Sequence, residues 1–519
     1  MKLTQSARRV ACYDSIEITL TYRKPCPVNP FTHVAVAGTF EGPEGEKTAV
    51  EGFCDSPDGT VYRIRFMPRT PGKHRYAVVI RGGGTERRFK GEFGAGTAVM
   101  PGPVRIDPDH PWHFMREGAG EHYFWNGTTA YWIAGCDGPT IGRTLYRLAG
   151  LGVNRIRAAL TGRVENGLAW FEDVMPSRNF SFLLGPWVAQ RPDNVEAPGY
   201  DVTRFNVAYW RKYEQMLRNA RERGIVVSVV MYVDGARPGV DPFKRDPGGE
   251  DERRYYRYAV ARLAAFSNVM WDVTNEYQLF RDDAWAEKMG RVLKARDPYW
   301  HPVSVHGHGD FHFRNSPWAD FAMFQSWDER GGHEFMLNNR RRQGSTGRIM
   351  PQVNEEYGYE DHYPVGWGEN RKYPARCADN RRRLAWGIYM AGCYQTTGER
   401  ATPAGGWLNG AGDGTMAMLK GYARIMRFFR EFEWWKTEPH DELVSRGAYC
   451  LAVPGGIYAV YLPAGGRVAV KLDPGLYKAR GYNPRTGAWS GLGYAAGPEF
   501  AFTETPDDGD WAILLTVVP

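Results

Sequence analysis

Two stretches place carboxylates where a buried strand should have none. Residues 269–277 read VMWDVTNEY, and residues 349–358 read IMPQVNEEYG. Each opens on residues that favour a pleated, buried strand, such as Val269, Trp271, Ile349 and Val353. Each ends on acids: Glu276 in the first, Glu355 and Glu356 in the second. Burying an unpartnered carboxylate costs several kcal/mol, so these groups are either exposed at a strand end or used. Two carboxyls on facing strand ends can share one substrate bond. One protonates a leaving oxygen while the other attacks the anomeric carbon or activates a water, which is the chemistry of glycoside hydrolysis.

The elements around them must bring those ends together. Residues 1–97 hold short alternating runs (SIEITLTY, HVAVAGTF, VYRIRFMP, HRYAVVI) separated by Gly, Pro, Asn and Asp clusters, which predicts a β-sandwich. Residues 98–112, rich in Gly and Pro, read as a linker. Residues 113–437 alternate strand-like with helix-like segments, and TAYWIAGC is taken as the first strand. Eight β/α units are expected, hence an α/β fold with a central (β/α)8 barrel; a doubly wound sheet fits less well because no Gly-rich dinucleotide turn follows an early strand. Residues 438–519 return to short alternating strands, a second β-sandwich. On this count VMWDVTNEY is the fourth strand and IMPQVNEEYG the seventh, three positions apart around the ring, with their C-terminal ends at the mouth.

Composition narrows the class. The chain has 519 residues, 43% hydrophobic and 24% charged, as expected of a soluble multidomain protein. No apolar run approaches the roughly 20 residues of a membrane span, and the N-terminus lacks a secretory leader, so a cytoplasmic location is expected. Seven scattered cysteines without a CxxC pair suit reduced thiols. The net charge of +7 is spread along the chain, so a nucleic-acid partner is not expected. The Arg triplets at 340–342 and 381–383 read as solvated surface. With 18 Trp and 29 Tyr, the chain is rich in the flat platforms that suit sugar rings.

Asn275-Glu276 ending the fourth strand, with Glu356-Tyr357-Gly358 ending the seventh, resembles the clan A retaining (β/α)8 glycosidases. The resemblance implies Glu276 as acid/base, Asn275 as a contact to the sugar 2-hydroxyl and Glu356 as nucleophile. The stretches NPFTHVAVAGTFEGPEG, HYFWNGTTAYWIAGCD, VNEEYGYED and IYAVYLPAGGRVAVKL with GYNPRTG resemble a narrower group. Its members join an N-terminal domain of unknown function, an apiosidase-like barrel and a C-terminal sandwich labelled collagen-binding. Such barrels often carry Gly-Asp-Thr after the first strand, where this chain has Gly135-Cys136-Asp137.

Around the carboxylates, substrate contacts are expected from Asp137, Arg157, Tyr232, Asp234, Gln325, Trp327 and Trp407, all at or beyond strand ends. Tyr357 is expected to hydrogen-bond the nucleophile. Because successive strand residues point to opposite sides, one of Glu355 and Glu356 should face the barrel axis and the other serve structure. His306 and His308, with His312 beyond, suit a hydrogen bond to sugar or, on a different reading, a metal-dependent hydrolase. The main expectation is a retaining O-glycosidase with a carbohydrate substrate and no cofactor. A carbohydrate-binding protein on a barrel that has lost catalysis is the other alternative, and the sandwiches could bind glycan, cap the barrel or make a homo-oligomer contact.

Overall fold

The computed structural model describes residues 1–163, 180–327, 332–361, 376–400, 406–412, 414–502 and 504–518. Its centre is an eight-stranded parallel sheet curled into a nearly closed barrel. The strands are β1 (Gly127–Thr129), β2 (Arg155–Ala159), β3 (Val226–Val230), β4 (Val269–Asp272), β5 (Val303–Ser304), β6 (Ala322–Gln325), β7 (Gln352–Glu356) and β8 (Tyr394–Thr397). Almost every strand residue is buried, as parallel strands covered on both faces require. The ladder runs β5-β4-β3-β2-β1-β8-β7-β6. Between β5 and β6 the ring is joined by one parallel bridge, His308 to Gln325.

Among the described residues seven helices pack outside: α1 (Gly138–Gly150), α2 (Val207–Arg221), α3 (Glu250–Leu263), α4 (Asp283–Arg296), α5 (Gly332–Gly344), α6 (Ala378–Met390) and α7 (Met418–Phe429). Of the eight expected β/α units the fifth is incomplete, because a loop without an α-helix links β5 to β6. The first strand also differs from expectation. It is the upstream Gly127–Thr129, while TAYWIAGC leaves the barrel wall and closes in a 3-10 turn at Ile133–Gly135. Among the described residues no helix is long and apolar enough to cross a membrane.

Antiparallel sheets flank the barrel. The N-terminal pair, one four-stranded and one five-stranded, closes over Ile16, Ile18, Leu20, Phe40, Ile64 and Val78. The stretch expected as a linker contains a strand, Val104–Ile106, which pairs with Phe114–Arg116. At the C-terminus a six-stranded sheet packs with a two-stranded one.

Both flanking units are fastened to barrel helices by buried charge. Arg65 Nη2 donates to Glu214 Oε2 of α2 at 2.9 Å, and Arg262 Nε of α3 donates to Glu214 Oε1 at 2.6 Å. Arg262 also lies 2.9 Å from Asp55 and 4.5 Å above the Phe53 ring. At the other end Arg382 Nη2 of α6 donates to Asp510 at 2.6 Å, and Trp386 stacks on Tyr461. The Arg triplets are therefore not simply solvated: Arg340, Arg381 and Arg382 are buried because each meets an acid or a carbonyl there.

Candidate active site

The fourth strand ends in a sharp turn that lifts Glu276 into the mouth. Its backbone is left-handed (φ 44°, ψ 53°), a conformation costing a non-glycine residue about 1 kcal/mol or more. The turn is held by Asn275 N–H donating to the Tyr232 carbonyl at 2.9 Å and Tyr277 N–H donating to the His306 carbonyl at 3.2 Å. Asn275 then fixes the acid. Its Oδ1 accepts from Tyr131 Oη at 2.9 Å and from Arg157 and faces His306 Nδ1, so its Nδ2 is left to donate to Glu276 Oε2 at 3.1 Å. On the other side His308 Nε2 lies 3.1 Å from Glu276 Oε1, and this contact raises the His308 pKa.

The seventh strand does something that alternation did not predict. Phe324 pairs with Asn354 while Gln325 pairs with Glu356, so Glu355 is an extra residue on β7. This β-bulge turns both acids toward the barrel interior. Glu355 meets Arg155 in a two-pronged ion pair (2.7 and 2.9 Å) and Arg157 at 3.7 Å. Glu356 stands one level higher, 3.6 Å from the same Arg157 guanidinium. The expectation that one acid faces the axis and the other does not is corrected by the bulge.

Glu356 accepts from Tyr131 Oη at 3.3 Å and from Gln325 Nε2 at 3.4 Å, and Tyr359 hydrogen-bonds it as well. Burial and the nearby charge of Glu276 push its pKa up to about 7, against the pull of Arg157. Asp234 at the end of β3 also has a left-handed backbone (φ 57°), and burial with the charges of Glu276 and Glu356 pushes it up to about 8. Three carboxyls thus crowd one mouth.

The expected contacts fall into two groups. Asn275, Arg157, Asp234, His306, His308 and Gln325 join the carboxylates, directly or through one residue. Trp327 and Trp407 form a wall through Tyr359, which Trp407 stacks on at 5.0 Å and Trp327 meets edge-on at 5.9 Å. Three residues are engaged elsewhere. Tyr357 points its hydroxyl to Gln395 Oε1 at 2.8 Å and to Tyr422 of α7, not to Glu356. Tyr232 donates to Glu252 at 2.9 Å and packs among Tyr255, Phe280 and Trp285. Asp137 caps α1, accepting from Thr140 N–H at 2.8 Å. Tyr131 and Tyr359 are site residues that the sequence reading does not include: the first lies in a run that reads as a strand, and the second is three residues beyond the bulged strand end.

The three histidines do not converge. His306 faces Asn275, His308 faces Glu276, and His312 faces Asp283 of α4 at 2.8 Å. Among the described residues no group of three or more His, Cys, Asp or Glu is arranged around a common metal position.

Residues 112–400 match the family model for the apiosidase-like catalytic domain, more than half of the chain. The chain belongs to the apiosidase-like family. Ahead of this barrel, residues 9–81 match a domain of unknown function, DUF5060. No curated protein matches the chain. Among solved structures, a candidate glycoside hydrolase from Bacteroides vulgatus superposes with a TM-score of 0.77 at 20% identity, covering 99% of this chain and 100% of its own. A family 5 glycoside hydrolase from the same organism gives 0.62 at 14% identity, over 80% of this chain and 94% of its own. At these identities the likeness is one of fold. The apiosidase-like barrel thus has a glycoside hydrolase architecture, with its carboxylates at the mouth.

Proposed function

We propose that this protein is a retaining O-glycosidase in which Glu356 attacks the anomeric carbon and Glu276 serves as acid, then base. The observation that carries this reading is the pair of strand-end carboxyls held in unlike surroundings at one mouth. Glu356 is buried and faces Arg157, Tyr131 and Tyr359, all of which favour its ionised form. Glu276 is the more exposed of the two and is aimed by Asn275 and His308.

The charge of Glu276 bears directly on Glu356, so the singly protonated state matters. With the proton on Glu276, the negative charge on Glu356 sits beside Arg157. Glu356 then forms a bond to the anomeric carbon as the leaving oxygen takes the Glu276 proton. Ionised Glu276 next removes a proton from water, whose oxygen displaces Glu356. Trp407, Tyr359 and Trp327 supply an aromatic wall for the sugar.

The test is a panel of α- and β-aryl glycosides, pyranoside and furanoside, given to wild type, Glu276→Ala and Glu356→Ala with azide. Under this reading both variants are inactive alone. Azide then rescues each, giving glycosyl azides of opposite anomeric configuration: retained from Glu276→Ala and inverted from Glu356→Ala. The raised pKa of Glu356 would by itself suit reversed roles, and the two azide products would then be exchanged. Full activity in Glu356→Ala would sink the nucleophile assignment.

A further inference from the structure

Below the mouth lies a carboxyl that the reaction does not use. Asp272, the last residue of β4, is 1% exposed, and neither of its oxygens has a hydrogen-bond partner of ordinary geometry. Its nearest cation is Arg157, at 3.9 Å. Both terminal nitrogens of Arg157 are engaged elsewhere: Nη2 donates to Asn275 Oδ1, and Nη1 points to the Glu355 carbonyl and the Glu356 carboxyl, while Nε, without a hydrogen-bond partner, lies 3.7 Å from Glu355.

The charges in this layer can be counted. Two guanidinium groups, Arg155 and Arg157, are buried with three carboxyls, Asp272, Glu355 and Glu356. Glu355 is matched by Arg155 through two short hydrogen bonds. Arg157 remains for Glu356 and Asp272, and one positive charge cannot balance two buried negative ones. The other groups around Asp272 do not alter the count. Tyr256 of α3, which feels its charge, is held protonated by burial. His306, just beyond β5 and 3.0 Å from Arg157, is held neutral by burial and by that arginine.

We propose that Asp272 is a positioning residue that remains a neutral carboxylic acid in the working enzyme, which leaves the charge of Arg157 to Glu356. Its sparse hydrogen bonding fits: beyond the approach of the Thr274 N–H no donor reaches it, and an ionised carboxylate at this depth would need more than a neutral acid does. Burial pushes the Asp272 pKa up to about 7, against the pull of Arg157, which agrees with the count. The inference rests on Glu356 as the ionised nucleophile, but its decisive measurement does not need activity.

The experiment compares wild type with Asp272→Asn, the neutral isostere. In infrared difference spectra at mildly acidic pH, about 6, the variant should lose a protonated-carboxyl C=O band and no carboxylate band. The acid limb of its kcat/KM profile should stay where it is in wild type, because asparagine imitates the neutral form. Loss of a carboxylate band would overturn the proposal. So would an acid limb displaced downward by about one pH unit, since it would mean that an ionised Asp272 had been holding the Glu356 pKa up. If Glu356→Ala proves active while the infrared result stands, the nucleophile assignment fails and the neutral Asp272 does not.

Discussion

Asn275 donates to Glu276 through an amide that cannot turn over. Its Oδ1 already receives Tyr131 and Arg157, so only Nδ2 is left for the acid. Asn275→Asp replaces that donor by a repelling oxygen and adds a buried charge. It should lower kcat/KM by about 100-fold or more, measured on whichever aryl glycoside wild type cleaves best.

Tyr131, like Arg157, touches both halves of the site, Asn275 and Glu356. Tyr131→Phe keeps the ring beneath Arg157, 4.8 Å away, and removes only the hydroxyl. A loss of about 1–2 kcal/mol in the transition state, roughly tenfold in kcat, is expected with little change in KM. Equal losses from Tyr357→Phe would contradict this, because that hydroxyl faces Gln395 and Tyr422.

The raised Glu356 carboxyl makes two statements about pH. Its value near 7 includes repulsion by ionised Glu276, so it describes the pair losing its last proton. The rate should therefore fall on the alkaline side of about pH 7, read from kcat/KM against pH.

Stability runs with the opposite consequence for a variant. A carboxyl whose folded pKa lies above its ordinary 4.5 makes the fold less stable as pH rises from about 4.5 to about 7, and the loss is complete above that. Glu356→Gln should thus raise Tm near pH 8, by the equivalent of about 1–3 kcal/mol, and change it little near pH 4. Thermal melts at the two pH values check the sign.

Arg262→Met leaves Glu214 and Asp55 short of a buried cation. Breaking such a pair costs about 3–5 kcal/mol, so the whole-chain Tm should drop by several degrees. The N-terminal sandwich and the barrel should melt together, followed by calorimetry.

The barrel, its flanking β units and the mouth position of Glu276 and Glu356 were legible because strand periodicity and strand-end acids are sequence-local signals. The bulge at Glu355 was not. It is defined by pairing with β6, and nothing in VNEEYG marks the extra residue. The same shift explains why Tyr359 reaches Glu356 where Tyr357 was expected to. Tyr131 was hidden because TAYWIAGC has strand composition, yet the wall ends at Thr129 and the chain turns over the mouth. Asp137 looked like a site residue by its position after a strand, but the start of α1 takes its side chain.

The seam between the N-terminal sandwich and the barrel also bears on ancestry. Glu17, Asp55 and Arg65 come from one side, Glu214 and Arg262 from the other, and each charge is answered across or beside the boundary. A sandwich grafted from an unrelated protein would leave Glu214 and Arg262 to each other, without the Arg65 and Asp55 that complete the network. Substitutions at these five positions can therefore be tolerated only in company. The seam would resist the recombination by which loosely tethered modules change partners.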